Sequence, residues 1–306
     1  MKIKPSILTF ALAMLCIAGC ENPKVGTDTG IKVPSKPALP ELELPFKIDP
    51  LDKGKEKPSP AEQVLLAKLH LPHIELITRG RSYLDDNKVT NYSGVFAKQE
   101  DLGSLFGIEK QQQMKFRFRE QPFSIAFAWT LNPALVDRML YVAGRYPDKT
   151  GKAQMLVRPK SSLQFIAGKS LLRDPEGKDA KKSSLRPCTK FGLRNTIADL
   201  QRVYLAATKA DECHEFSLGI TTHGNDKRTC LVLARLLPQE KAEYPAKTTY
   251  ILIDSETYLP LRIIGYDWDD NMTCDYQYLS IQFNPGLTDE KFSPESCKIE
   301  PPKIDK

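Results

Sequence analysis

The chain has 306 residues, with 44 Lys and Arg against 38 Asp and Glu, a formal net charge of +6 and 17 Gly, 23 Pro and 7 Cys. That length suits one large domain. So mild a basic excess argues against a dedicated nucleic-acid binder.

Residues 1–20 read as a leader and an anchor. Lys2 and Lys4 form a positive start, and Pro5 to Gly19 is apolar but shorter than the roughly 20 residues of a spanning helix. Ile17-Ala18-Gly19-Cys20 is similar to the lipobox of a bacterial lipoprotein precursor. On that reading Cys20 carries the lipid and opens the mature chain, whose net charge falls to +4 with the loss of Lys2 and Lys4. The alternative is an ordinary secretory signal with a chance cysteine. Acyl chains on Cys20 would make the membrane a partner. Glu21, rather than the Asp of inner-membrane retention, favours the outer membrane. The expected location is the bacterial cell envelope, facing the periplasm.

Residues 20–58 read as the lipidated cysteine and a tether. Seven prolines, seven lysines and a single aromatic, Phe46, fall between residues 21 and 58. Such a composition buries too little apolar surface to offset its ordering entropy, and as a coil it spans roughly 35 Å. A folded domain is expected over 59–297, with a tail over 298–306. Ser59-Pro60-Ala61-Glu62 has capping-box spacing with proline at the first helical position. The first helix breaks at Pro72, and a second is expected from His73 to about Asp86.

From Asn91 the period becomes two. Met114, Phe116 and Phe118 alternate with Lys115, Arg117 and Arg119, and Phe123, Ile125, Phe127, Trp129 and Leu131 share one face of the next strand. Further strands are expected at 91–99, 137–144, 153–158, 215–222, 228–237, 247–254, 259–268 and 274–283. His223-Gly224-Asn225-Asp226 and Asp269-Asp270-Asn271 are hairpin signals. A basic loop over 168–190 precedes one helix, Leu193 to Thr208, with Ile197, Leu200, Val203, Tyr204 and Leu205 as its stripe. Strands that follow strands without alternating helices give an α+β class. A sheet of about ten strands must curl, so the expected architecture is a strongly curved antiparallel sheet with a few packed helices.

Five cysteines remain beyond Cys16 and Cys20. Disulfides between Cys188 and Cys213 and between Cys274 and Cys297 are expected, with Cys230 as a core thiol in an apolar run. No C-x-x-C spacing suggests a redox or zinc motif.

Tyr92-Ser93-Gly94-Val95-Phe96 with Lys98 and Glu100 resembles the opening strand of a bacterial family, the Domain of Unknown Function numbered fifteen seventy-one. Pro122-Phe123-Ser124, Leu140 to Arg145, Leu259-Pro260-Leu261-Arg262, Tyr266-Asp267-Trp268 and Asn284 to Asp289 with Phe292 are similar to its later motifs. The resemblance covers about residues 62–294. The 168–190 loop and the cysteines depart from it. It implies kinship with LolA-like half-barrels, whose curved sheet wraps helices around an apolar interior suited to acyl chains; fold alone does not fix function.

Chemistry-bearing clusters are few. His70 and His73 straddle Pro72, and Cys213, His214, His223 and Cys230 match no common zinc spacing. The acids from Asp267 to Asp275 offer carboxylates to a hard cation, and Trp268 a face to a sugar, but they lack a calcium-loop pattern and read first as a solvated turn. No nucleophile elbow, zincin motif or P-loop is present, so no cofactor, metal or catalytic residue is assigned. Lys169, Arg173, Lys178, Lys181, Lys182, Arg186 and Lys190 read as a solvated loop, with contact to anionic headgroups as the alternative. Phe116, Phe118, Phe123, Phe127, Trp129, Leu279, Ile281 and Phe283 form the candidate ligand-lining face, a surface that can also serve as packed core.

The leading expectation is a non-enzymatic, lipid-anchored envelope protein that binds an acyl chain, lipid or lipoprotein in an apolar half-barrel. An envelope protein-interaction or stress-sensing module is the alternative, and an envelope enzyme the third. Metabolic labelling with a fatty-acid analogue tests the anchor: label is expected on the wild-type chain and absent from Cys20→Ser. Label retained in that variant removes the anchor site.

Overall fold

A computed structural model describes residues 37–51, 57–103 and 107–302. The expected leader and Cys20 lie outside the described residues. Eleven strands run β1 (Asn91–Glu100), β2 (Gln112–Arg119), β3 (Ser124–Leu131), β4 (Val136–Val142), β5 (Met155–Pro159), β6 (Leu171–Arg173), β7 (His214–His223), β8 (Arg228–Leu236), β9 (Thr248–Asp254), β10 (Pro260–Tyr266) and β11 (Met272–Phe283). They form one curved, unclosed antiparallel sheet in the order β6-β5-β4-β3-β2-β1-β11-β10-β9-β8-β7. Two meanders thus meet at the β1–β11 pair. The helices are α1 (Pro60–Leu69), α2 (His73–Asp86), α3 (Ser161–Ala167), α4 (Lys178–Lys181) and α5 (Leu193–Lys209).

The connection from edge strand β6 to edge strand β7 must cross the whole sheet, and α5 is that crossing. Alternation sorts the strands onto two faces. On β2, Met114, Phe116 and Phe118 are buried toward the helices while Lys115 is exposed. Leu76, Ile77 and Leu84 of α2 and Leu193, Ile197 and Tyr204 of α5 join them in one inner core. The helix stripe differs from expectation at one residue. Leu205 is 61% exposed and Ala207 is buried instead, because 200, 203, 204 and 207 share a helical face and 205 turns off it. The Ser59–Glu62 capping box forms in both directions.

The 168–190 stretch, expected as a loop, contains β6 and α4, and α3 precedes it. All five described cysteines are free thiols, so the expected Cys188–Cys213 and Cys274–Cys297 bridges are not made. Cys188 and Cys213 lie beyond opposite ends of α5, whose 17 residues span roughly 25 Å. Cys297 accepts a hydrogen bond from Arg117, which faces Ser93 on β1, whereas Cys274 faces Glu100. Seven residues of strand, roughly 23 Å, separate those positions, far beyond disulfide reach.

Part of the expected tether is folded. Leu39, Leu42, Leu44 and Phe46 pack on the outer face against Ala234, Tyr250, Ile264 and Tyr266. Phe46 also lies over Arg262, 5.4 Å from guanidinium to ring, and Arg262 pairs with Asp275 at 2.6 and 2.9 Å in a buried cross-strand bridge. The segment then reaches the β7 edge, where Asp49 and Ile220 exchange two backbone hydrogen bonds of 2.8 Å, and Leu51 enters the inner core. This caps an edge that would otherwise offer unpaired backbone groups. At the other terminus, Phe292, Cys297 and Ile299 pack on the outer face of β3–β5, so Ile299, expected in a tail, is buried.

Gly219 makes the edge contact possible. Its φ is +128°, and a Cβ there would stand 2.1 Å from the Asp49 carbonyl oxygen. Gly219→Ala is expected to lower unfolding free energy by about 1–3 kcal/mol in urea titration. An unchanged midpoint would mean that this contact does not hold the segment.

Candidate functional site

The helices cover only part of the inner face. Over β2–β5, and reaching β1, β11 and β10 at one side, they leave a cavity of about 410 Å³, within the range of small-molecule sites. Its floor is apolar: Met114 of β2, Phe127 and Trp129 of β3, Met139 of β4, and Met155 and Val157 of β5. Phe191, immediately before α5, stands against Phe96, Phe116 and Phe127 at ring distances of 5.1 to 5.4 Å and walls off the core side. Leu163 and Ala167 of α3 close a second side, and the segment from Leu171 to Lys190 arches over a third. Exposed Leu135, Asp179, Lys182 and Lys190 mark the mouth.

The polar groups have assigned tasks. Trp129 Nε1 donates to Gln112 Oε1 at 2.8 Å, which fixes the indole plane in the wall. Lys98 and Glu100, both inward on β1, form a buried pair with Lys98 Nζ 2.5 Å from Glu100 Oε2. Glu100 Oε1 accepts from Tyr276 Oη at 2.5 Å, Ser184 Oγ at 3.0 Å and the Leu185 N–H at 3.1 Å. Lys98 Nζ also donates to the Ser183 carbonyl at 3.2 Å. One carboxylate therefore latches the arching segment to the sheet. Burial, then the adjacent Glu100 carboxylate, pushes the Tyr276 phenol far up, so it stays a donor. Burial pushes the Cys188 thiol in the wall up to about 12, so it is a neutral lining group rather than a thiolate.

Of the eight residues expected to line a ligand site, Phe127 and Trp129 do. Phe116 and Phe118 do not border the cavity, because Phe191 and the start of α5 fill the space above them. Phe123 packs on Phe118 and Tyr141. Leu279, Ile281 and Phe283 border a separate cleft of about 20 Å³ near His223, with Phe283 against Tyr83 of α2. The missed floor residues are Met114, Met139, Met155 and Val157; they alternate with outward Lys115, Arg138 and Arg158, a period-two signal legible in the sequence.

The other clusters are structural. His73 Nδ1 lies 2.9 Å from Tyr204 Oη inside the core. His214 and His223 occupy opposite ends of β7. Asp267 Oδ1 accepts from the N–H groups of Asp269 and Asn271, as a turn-forming aspartate does. Among the described residues no group of three or more His, Cys, Asp or Glu converges on a metal-sized site.

Glu100→Ala leaves Lys98 buried without its partner, and a loss of about 3–5 kcal/mol is expected. Amide exchange at Leu185 should rise with it. The isosteric pair Lys98→Met/Glu100→Leu should recover stability while Leu185 stays unprotected; a protected Leu185 in that variant would refute the latch.

No curated protein matches the chain in sequence. Among solved structures, a DUF1329 family protein from Desulfovibrio piger is similar at 16% identity and a TM-score of 0.33, over 74% of this chain and 97% of that one. The Pseudomonas aeruginosa MucA/MucB complex is similar at 12% identity and a TM-score of 0.36, over 74% and 63%. A LolA superfamily protein from Nitrosomonas europaea is similar at 8% identity and a TM-score of 0.30, over 71% and 98%. Likenesses this distant carry no statement about ligands. Residues 89–300, which hold the whole sheet, the cavity and its latch, match the family described as "Protein of unknown function (DUF1571)", and the chain belongs to that family.

Proposed function

We propose that this is a lipid-anchored protein of the bacterial envelope whose inner-face cavity binds an acyl chain of a lipid or lipoprotein. The observation that carries the reading is the cavity itself: about 410 Å³ of space, floored by methionines, valine and aromatics, in an otherwise packed inner face. Native interiors are filled to crystal-like density, and a void of this size lined by Met114, Met139, Met155, Phe127 and Trp129 suits a flexible hydrocarbon. Methionine side chains adapt to chains of varied shape. Binding is by burial alone, about 0.8 kcal/mol for each methylene removed from water, without covalent chemistry. The latched segment from Leu171 to Lys190 would shelter the bound chain, and the lipobox-like Cys20 would keep the domain beside a membrane that holds its ligands.

Native mass spectrometry of residues 21–306, purified from periplasm without detergent, tests this. Extra mass that resolves into fatty acid or phospholipid on denaturation is expected. Phe127→Ala/Trp129→Ala should weaken fatty-acid uptake by about tenfold or more, and Val157→Trp should block it by filling the floor. A clean apo mass with no uptake of added lipid would overturn the reading in favour of a protein-interaction module.

A further inference from the structure

Beside the cavity mouth stands a feature that ligand binding does not require. The seven residues of α3 contain no buried side chain. Phe165 is 97% exposed and Ile166 84%, whereas Leu163 and Ala167, one turn apart, face the cavity. Leu135, 54% exposed, also lines the mouth, and the Lys160 N–H, at the start of α3, donates to its carbonyl at 3.0 Å. Single exposed apolar residues are ordinary. Here an adjacent phenylalanine and isoleucine project almost entirely into solvent from a helix whose other side opens on an apolar cavity.

We propose that this tip, α3 with the β3–β4 turn, docks on an anionic lipid bilayer. The charge around it names the occupant. Eight cationic and three acidic side chains lie between Lys160 and Lys190. All three acids are engaged: Asp174 with Lys152 at 2.9 Å, Asp179 with Arg173 at 3.4 Å and Glu176 with the Thr189 hydroxyl at 3.1 Å. Among the cations, Arg173 pairs with Asp179 and Arg186 with Asp199. Lys160 and Lys169 flank α3, and Lys169 meets exposed Glu300 at 3.6 Å. Lys182 and Lys190 at the mouth stay exposed. A short apolar wedge ringed by lysines matches a surface with negative headgroups outside and hydrocarbon beneath, because wedge and cations then each gain. Seated so, the cavity mouth would face the bilayer, and Leu135 and Leu163 would give an acyl chain an apolar path. The docking itself rests on exposure and charge and does not depend on the cavity being filled.

The test places a reporter at the tip. In a Cys20→Ser background, used for every variant of this test so that no acyl anchor contributes, the full chain with Phe165→Trp is mixed with vesicles of phosphatidylcholine and phosphatidylglycerol carrying brominated acyl chains. Emission from the introduced indole, taken as the difference from the chain with its two native tryptophans, should shift to the blue and be quenched. The quenching should fall several-fold in pure phosphatidylcholine. Phe165→Ser/Ile166→Ser should float with vesicles about tenfold less while keeping the same urea midpoint and fatty-acid uptake, which separates docking from cavity binding. An unquenched indole on both vesicle types overturns the proposal even if the chain floats, since another part would then carry it. A blue shift that grows with protein concentration in the absence of lipid also overturns it and assigns the tip to a second copy of the chain.

Discussion

A hydrogen bond at the centre of the inner face fixes where the sheet is covered and where it is open. The Leu193 N–H, the first of α5, donates to the Tyr92 hydroxyl at 2.7 Å. Gly192 turns into the helix at a φ of +118°, so close to the sheet that a Cβ would stand 2.9 Å from the Phe118 ring and 3.1 Å from that hydroxyl. Helix N-termini carry unsatisfied donors, and here one is met by a side chain rooted in β1, the middle of the sheet. Pinned there, α5 runs over the β7–β11 side with α2 against it. The β2–β5 side receives only Phe191, short α3 and an arching segment, and the cavity is what they leave.

The arching segment needs an attachment, and Glu100 supplies it. Four donors converge on one buried carboxylate: an ammonium, a phenol, a hydroxyl and a backbone N–H. In a low-dielectric interior such a network is strong when complete and costly when one member is lost. The outer face solves its own covering problem with the two ends of the described chain. Residues 39–46 cover β8–β11, Asp49 pairs with the β7 edge, and Phe292 to Ile299 cover β3–β5. A sheet with two apolar faces is thus clad by helices on one side and by chain ends on the other.

Much of this was legible in sequence because strand alternation is local. The inward row Met114, Phe116, Phe118 and the row Ile125, Phe127, Trp129 follow from period two alone, and the capping box at Ser59 from spacing alone. The first covering segment was legible and misread. Leu42, Leu44, Phe46 and Ile48 alternate with Glu41, Glu43, Pro45 and Lys47, and their burial alternates in step, but proline and lysine averaged over the longer stretch hid it. The disulfide expectation failed for the opposite reason: flanking an element in sequence says nothing of the distance between its ends.

The sequence by itself determined the class of the protein. Strands in series and the motifs of β1, β10 and β11 lead to an α+β chain of one family, because each signal lies within a dozen residues. Only the tertiary structure decided which aromatics line a cavity and which fill the core. Phe116 and Phe127 share a face and are cross-strand partners. One lies beneath Phe191 and the other also borders open space, since the path of α5 depends on contacts a hundred residues apart, between Tyr92 and Leu193. The basic loop changed meaning in the same way: a solvated stretch in sequence is, in space, the rim of the site.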